Sequence, residues 1–197
     1  MGRRAAAGEK DLADLTILGI CGSLRHASYN RLVLRAAAGL TPDGAAVATF
    51  DSLAEIPPYD DDVRAGSGFP PAVAALREAV RAADAVLFVS PEYNYSVPGV
   101  LKNAIDWASR APDQPFHDKP VAIMGASPGH IGTARMQHHL RQCLVYLEAR
   151  VLARPEVMIG QVAEKFDAEG NLVDAATADH LRAQLAALVA WTLRLKR

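Results

Sequence analysis

Apolar positions along the chain fall into two alternating patterns, unbroken runs and helical spacing. Leu15-Thr16-Ile17-Leu18-Gly19-Ile20-Cys21, Ala45 to Phe50, Asp84 to Ser90, Val121-Ala122-Ile123-Met124 and Val151 to Ile159 are short runs with little polar alternation. That pattern belongs to strands buried on both faces of a parallel sheet. The intervening segments repeat at helical spacing. Leu32, Val33, Leu34 and Ala36 to Ala38 predict one helix. Val73, Leu76 and Val80 follow Pro70-Pro71, with Arg77, Glu78 and Arg81 off their face. Leu101, Ala104, Ile105 and Ala108 follow Pro98, with Lys102, Asn103, Asp106 and Trp107 off theirs. Met136, Leu140, Cys143, Leu144 and Leu147 mark a long helix over Ile131 to Arg150, and Leu181, Leu185, Leu188 and Leu195 a last helix from Asp174. Proline at a helix start suits its missing N–H, and Pro155 inside the last strand places that strand at a sheet edge. Strand and helix alternation predicts an α/β, doubly wound parallel sheet of five strands in the order 2-1-3-4-5.

In such a sheet the loops after the strands gather at one edge, and the chain's unusual polar stretches all sit there. After the first strand come Gly22-Ser23-Leu24-Arg25-His26-Ala27-Ser28-Tyr29-Asn30. A helix N-terminus offers unpaired N–H groups and the positive end of its dipole, to which Ser23, Ser28 and Asn30 add neutral donors and Arg25 a fixed charge. Singly, Ser28 also reads as an N-cap and Asn30 as a turn residue; their clustering reads as a phosphate site. Neither G-x-x-x-x-G-K-[ST] nor G-x-G-x-x-G occurs, so a triphosphate cradle and a dinucleotide fingerprint are excluded. A terminal monophosphate fits, and flavin mononucleotide (FMN) is the cofactor of that shape held at the switch point of doubly wound sheets.

The loop after the third strand reads Pro91-Glu92-Tyr93-Asn94-Tyr95-Ser96-Val97-Pro98-Gly99. Tyr93 and Tyr95 can wall a flat ring or anchor the loop on the domain edge, while Asn94 and the backbone supply polar contacts. A carboxylate beside an electron-rich ring is unfavourable, so Glu92 is expected to turn away and act through its backbone. The loop after the fourth strand, Gly125-Ala126-Ser127-Pro128-Gly129, is formally G-x-S-x-G, the nucleophile elbow of serine hydrolases. That mechanism needs the N–H after the serine, which Pro128 lacks. Ser127 then reads as part of a third loop beside a planar ligand. Residues 51–71 form a long polar, proline-rich segment that reads as a flap over the site, and its Asp60-Asp61-Asp62 reads as solvated turn rather than metal ligands.

Composition narrows the class. With 197 residues, half hydrophobic, and a net charge of −1, the chain suits one domain with no basic stripe, so neither nucleic acid nor a membrane surface is an expected partner. No apolar run approaches the ~18 residues of a membrane span. Residues 1–13 read as a disordered leader before a single domain over 14–197; they lack an apolar signal core, and Ala6 breaks a myristoylation pattern. Cys21 and Cys143 form no C-x-x-C and no histidine pairing, so both read as buried, reduced thiols of a cytoplasmic protein with no metal site. No histidine pair stands at i, i+4.

The first and second loops, with Val100-Leu101-Lys102-Asn103-Ala104-Ile105-Asp106-Trp107 continuing the second, resemble those of the bacterial NAD(P)H-dependent FMN reductases, and among them the quinone reductases that also reduce chromate. The resemblance implies a flavodoxin-like fold that binds FMN, with Ser23, Arg25, Ser28 and Asn30 at its phosphate and Pro91, Glu92, Tyr93, Asn94 and Ser127 around its ring. It also implies NADPH or NADH as hydride donor, small-molecule electron acceptors such as quinones or chromate, and a homotetramer built as a dimer of dimers. His138 stands where relatives carry a tyrosine at a subunit contact. Hydride transfer is the cofactor's chemistry, so no catalytic acid–base pair is expected. A flavodoxin-type electron carrier is the alternative; such carriers are strongly acidic, unlike this chain.

Overall fold

The computed structural model describes residues 15–196, so the leader assigned to residues 1–13 lies outside the described residues. Strand β1 (Leu15–Cys21), helix α1 (Tyr29–Gly39) and strand β2 (Ala45–Thr49) open the chain. Helices α2 (Asp61–Ser67) and α3 (Pro71–Ala82) precede β3 (Ala85–Val89), α4 (Gly99–Ala108), β4 (Pro120–Ala126) and α5 (Ala134–Tyr146). Short strands β5 (Arg150–Val151) and β6 (Val157–Ile159) and helix α6 (Ala175–Leu195), capped by Asp174, complete it. All pairings are parallel, in the order β2-β1-β3-β4, with β5 and β6 both on the outer edge of β4. This is the flavodoxin-like order expected from the alternation.

Alternate residues of the central strands feed opposite faces, as the period of two requires. Leu18, Ile20, Val86, Phe88, Val121 and Ile123 pack with α3, α4 and α5. Ile17, Cys21, Leu87, Val89, Ala122 and Met124 pack with Val33 and Leu34 of α1 and Leu181, Leu185 and Leu188 of α6. Both faces being covered explains why the strand sequences do not alternate.

Several expectations are corrected. The fifth strand is two pieces: β5 pairs with Pro120 and Val121, β6 with Met124 to Ala126, and Pro155 lies between them. At the gap Gln184 of α6 donates its side-chain amide to the carbonyls of Ile123 and Pro155, replacing the missing ladder bonds. The helix expected from Ile131 to Arg150 is confined to α5, because Gly132 turns with φ +63° and Glu148 with φ +55° on either side of it. Trp107, assigned off the apolar face, is fully buried, and Leu195, assigned to that of α6, is exposed. Cys143 is only half-buried. Arg77 is buried against the polar-face expectation: its guanidinium donates to the carbonyl of Ala108, the last residue of α4, and to those of Arg110, Pro112 and Asp113 past it.

Residues 51–71 pack rather than flap. Leu53 and Ile56 are buried, and the Pro57 carbonyl accepts from Asn103 Nδ2 and Trp107 Nε1, both at 2.8 Å. Asp60 caps α2 through the Asp62 N–H. The Arg64 guanidinium, helped by the Tyr59 hydroxyl, holds the Asp61 carboxyl down at about 2. Among the described residues no cluster of His, Cys, Asp and Glu is placed to hold a metal, and no helix is long and apolar enough to cross a membrane.

Candidate active site

The sheet ladder continues into the loops. Gly22 N–H donates to Val89 at 2.9 Å and Ser90 N–H to Met124 at 3.1 Å, which draws the segments after β1, β3 and β4 to one edge. A side chain at Gly22 would put its Cβ 2.2 Å from the Ser90 hydroxyl, so glycine is what lets the first loop start this close to β3.

These segments enclose a cleft of about 110 Å³. The first contributes Ser23, Arg25, Ser28, Tyr29 and Asn30. Ser23 and Ser28 are buried, and Arg25 is exposed at the mouth. Ser28 Oγ caps α1 by accepting the Asn30 N–H at 3.2 Å, and Ser23 Oγ accepts the Arg25 N–H at 3.3 Å. The N-cap reading of Ser28 is the one its bond shows, and its hydroxyl hydrogen is still available to a ligand. Asn30 is committed to the scaffold: its carboxamide accepts the Ala126 N–H at 2.9 Å and donates to the Ala126 carbonyl at 3.0 Å, leaving one N–H. No acidic residue occupies the first turn of α1. The donor set of Arg25, two hydroxyls and a helix N-terminus fits a phosphate.

The second segment contributes Pro91, Glu92 and Tyr93. Tyr93 and Ser96 exchange backbone hydrogen bonds across Asn94 (φ 48°) and Tyr95 (φ 67°), a two-residue turn with both central residues left-handed. Asparagine tolerates this conformation, while tyrosine is strained in it. Arg135 lies 3.8 Å from the Tyr95 ring centroid and covers it. The turn separates the tyrosines: Tyr93 lines the cleft, and Tyr95 and Asn94 lie beyond its lining. Glu92 turns away as expected. Its carboxylate accepts the Met136 N–H at 3.0 Å and Arg135 Nη1 at 3.0 Å, capping α5 from another loop. The carboxylate at the cleft is thus neutralised before any anionic ligand arrives.

The third segment contributes Ala126, Ser127 and Pro128. Ser127 Oγ donates to the Gly132 carbonyl at 2.8 Å and its N–H to Ile159 at 3.0 Å. No histidine hydrogen-bonds this hydroxyl among the described residues, and Pro128 offers no N–H, so the elbow has neither base nor oxyanion donor. Cys21 lies behind the first loop; burial pushes its thiol up, and it donates to the Ser23 carbonyl, which makes it inert.

Sequence reasoning missed Tyr29 and Pro128 as lining residues, and Arg135 and Met136 as supports. Tyr29 carried a signal, since it is the first helical residue after the Ser28 cap. Arg135 and Met136 carried none, lying more than 40 positions from Glu92. A larger depression of about 330 Å³ lies at the far end of α1, where Arg35 is bonded to the Gly170 carbonyl and Arg182 paired with Asp179. Its cations are already engaged.

Residues 15–164 match the family described as NADPH-dependent FMN reductase. The chain is 55% identical to an NAD(P)H-dependent FMN reductase of Pseudomonas aeruginosa, covering 93% of this chain and 98% of that protein. It is 49% identical to a quinone reductase of Escherichia coli, covering 92% and 97%. Among solved structures, the flavoenzyme NAD(P)H:(acceptor) oxidoreductase of Paracoccus denitrificans superposes with a TM-score of 0.82 at 35% identity, covering 91% of this chain and 98% of that one. Cleft, fold and these similarities converge: the chain belongs to the NADPH-dependent FMN reductase family.

Proposed function

We propose that the protein is an FMN-dependent oxidoreductase that takes reducing equivalents from NADPH or NADH and delivers them to quinones, metal oxyanions such as chromate, or similar small acceptors. The observation that carries the reading is the cleft's charge pattern, with Arg25, Ser23, Ser28 and the start of α1 at one end and Glu92, the only lining carboxylate among the described residues, already bonded to α5. FMN held in this cleft would supply the redox chemistry between nicotinamide and acceptor.

The protein's part is binding and exclusion. Ser23, Arg25, Ser28 and the remaining N–H of Asn30 would hold the phosphate, and Pro91, Glu92, Tyr93 and Asn94, chiefly through backbone, would flank the ring with Ser127. The enclosed 110 Å³ is well below the ~300 Å³ at which pockets begin to swallow a whole drug-sized ligand. Much of a bound flavin therefore stays reachable, which suits donor and acceptor using one face in turn. A single domain over 14–197 and a homotetramer belong to the same proposal, as does a cytoplasmic setting, which the unpaired Cys21 and Cys143 support.

The test is a visible spectrum of protein loaded with FMN and desalted, before and after anaerobic NADPH. Retained flavin bands that bleach, and that recover on adding a quinone without a partner protein, are expected. Absence of retained flavin in folded protein, or bleaching with no small-acceptor turnover, would turn the reading toward weak exchangeable binding or an electron carrier.

A further inference from the structure

Arg31 sits at the third position of α1 and does not line the cleft, yet its side chain reaches back over the helix start. Its Nε donates to the Arg25 carbonyl at 3.2 Å, six residues earlier. The Arg25 peptide is then held on both sides, its N–H by Ser23 Oγ at 3.3 Å and its carbonyl by Arg31. That matters because Arg25 is an exposed, rotamer-rich side chain, and anchoring its backbone reduces what must be ordered when it grips an anion.

The charge argument points the same way. A cation in the first turn opposes the helix dipole and is an unfavourable choice for the helix itself. α1 nevertheless carries Arg31 there, beside Arg25, with no acidic residue in that turn. Among the described residues neither guanidinium meets a carboxylate. A second cation in the first turn, bonded to a loop that already brings Arg25 to the cleft, is accounted for by an anion that binds at this helix N-terminus.

We infer that Arg31 is a positioning residue for the phosphate end of the site, fixing the Arg25 loop and adding a second positive charge to its field. This rests on the FMN reading above. The arrangement costs the empty protein some stability and is repaid when a dianionic phosphate binds.

The test titrates wild type, R31Q, R31K and R25A with FMN and with riboflavin, which lacks the phosphate, at low and high ionic strength. R31Q is expected to weaken FMN about tenfold, to flatten the dependence of FMN affinity on salt, and to leave riboflavin unchanged, with an apo Tm equal to or above wild type. R31K, retaining the charge, is expected to recover the salt dependence. Unchanged FMN affinity in R31Q, or equal weakening of FMN and riboflavin with a lowered apo Tm, would overturn the inference and leave Arg31 a purely structural residue. The FMN reading fails separately, if wild type shows no preference for FMN over riboflavin and R25A changes neither.

Discussion

The Glu92 carboxylate accepts the backbone N–H of Met136 at 3.0 Å, so a loop residue after β3 caps the helix that follows β4. With Arg135 on its other oxygen and Tyr95 under the Arg135 guanidinium, the capping bond ties the second cleft segment to the helix that follows the third. Glu92 is 10% exposed and the side chain of Arg135 36%, so the pair is partly shielded from solvent.

Removing that carboxylate should loosen both segments. Glu92→Ala is expected to cost about 1–2 kcal/mol, the usual worth of a lost N-cap with its dipole interaction. Glu92→Gln should cost less, because an amide oxygen can still accept from Met136. Urea unfolding of the two variants checks the order; equal losses would mean that the ion pair with Arg135, rather than the cap, is what matters.

Ser127 offers a clean discrimination between chemistries. Its hydroxyl is spent on the Gly132 carbonyl, so Ser127→Ala should lose about 1 kcal/mol of stability for one hydrogen bond. Neither wild type nor the variant should hydrolyse an activated ester above background. Ester turnover that disappears in Ser127→Ala would restore the hydrolase reading.

Arg77 satisfies four carbonyls at and beyond the end of α4 without a carboxylate partner among the described residues, and Phe69 packs 4.0 Å from its guanidinium. Burial pushes its pKa down from the ordinary arginine value. Arg77→Ala leaves those carbonyls unpaired and a cavity beneath Phe69, for an expected loss of about 3 kcal/mol. Below the shifted Tm, FMN affinity should be unchanged, since α4's far end is remote from the cleft. A selective loss of FMN binding would show coupling that the contacts do not predict.

Acid should weaken the amino edge of the sheet through Asp84. Burial raises its carboxyl pKa, but hydrogen bonds from Lys196 and the Thr16 N–H outweigh that and leave it net below the usual value. A depressed folded pKa contributes stability above the unfolded value of about 3.9 that is lost as pH falls through the folded one. The Tm advantage of wild type over Asp84→Asn should therefore be full near pH 6 and shrink below about pH 4. An advantage independent of pH would place the effect in packing rather than charge.

What the sequence by itself determined was local. Strand and helix order followed from short unbroken apolar runs and from the 3.6 period between them, and Ser28 and Pro71 marked helix starts by their own chemistry. Parallel strands expose their loops at one edge, so the gathering of Ser23, Arg25 and Ser28 at that edge was legible from the order of the elements alone. Other features were decided by partners distant in sequence. Glu92 found Met136 across 44 positions, Arg77 found the carbonyls past α4, and Gln184 crossed 61 positions to reach Ile123 where the edge strand breaks. Tyr93 and Tyr95 look equivalent in sequence and were parted by a left-handed turn at Asn94-Tyr95 that Arg135 covers. Each of these is a buried or strained polar group whose cost is met only by a specific distant partner, and such pairing has no local period to read.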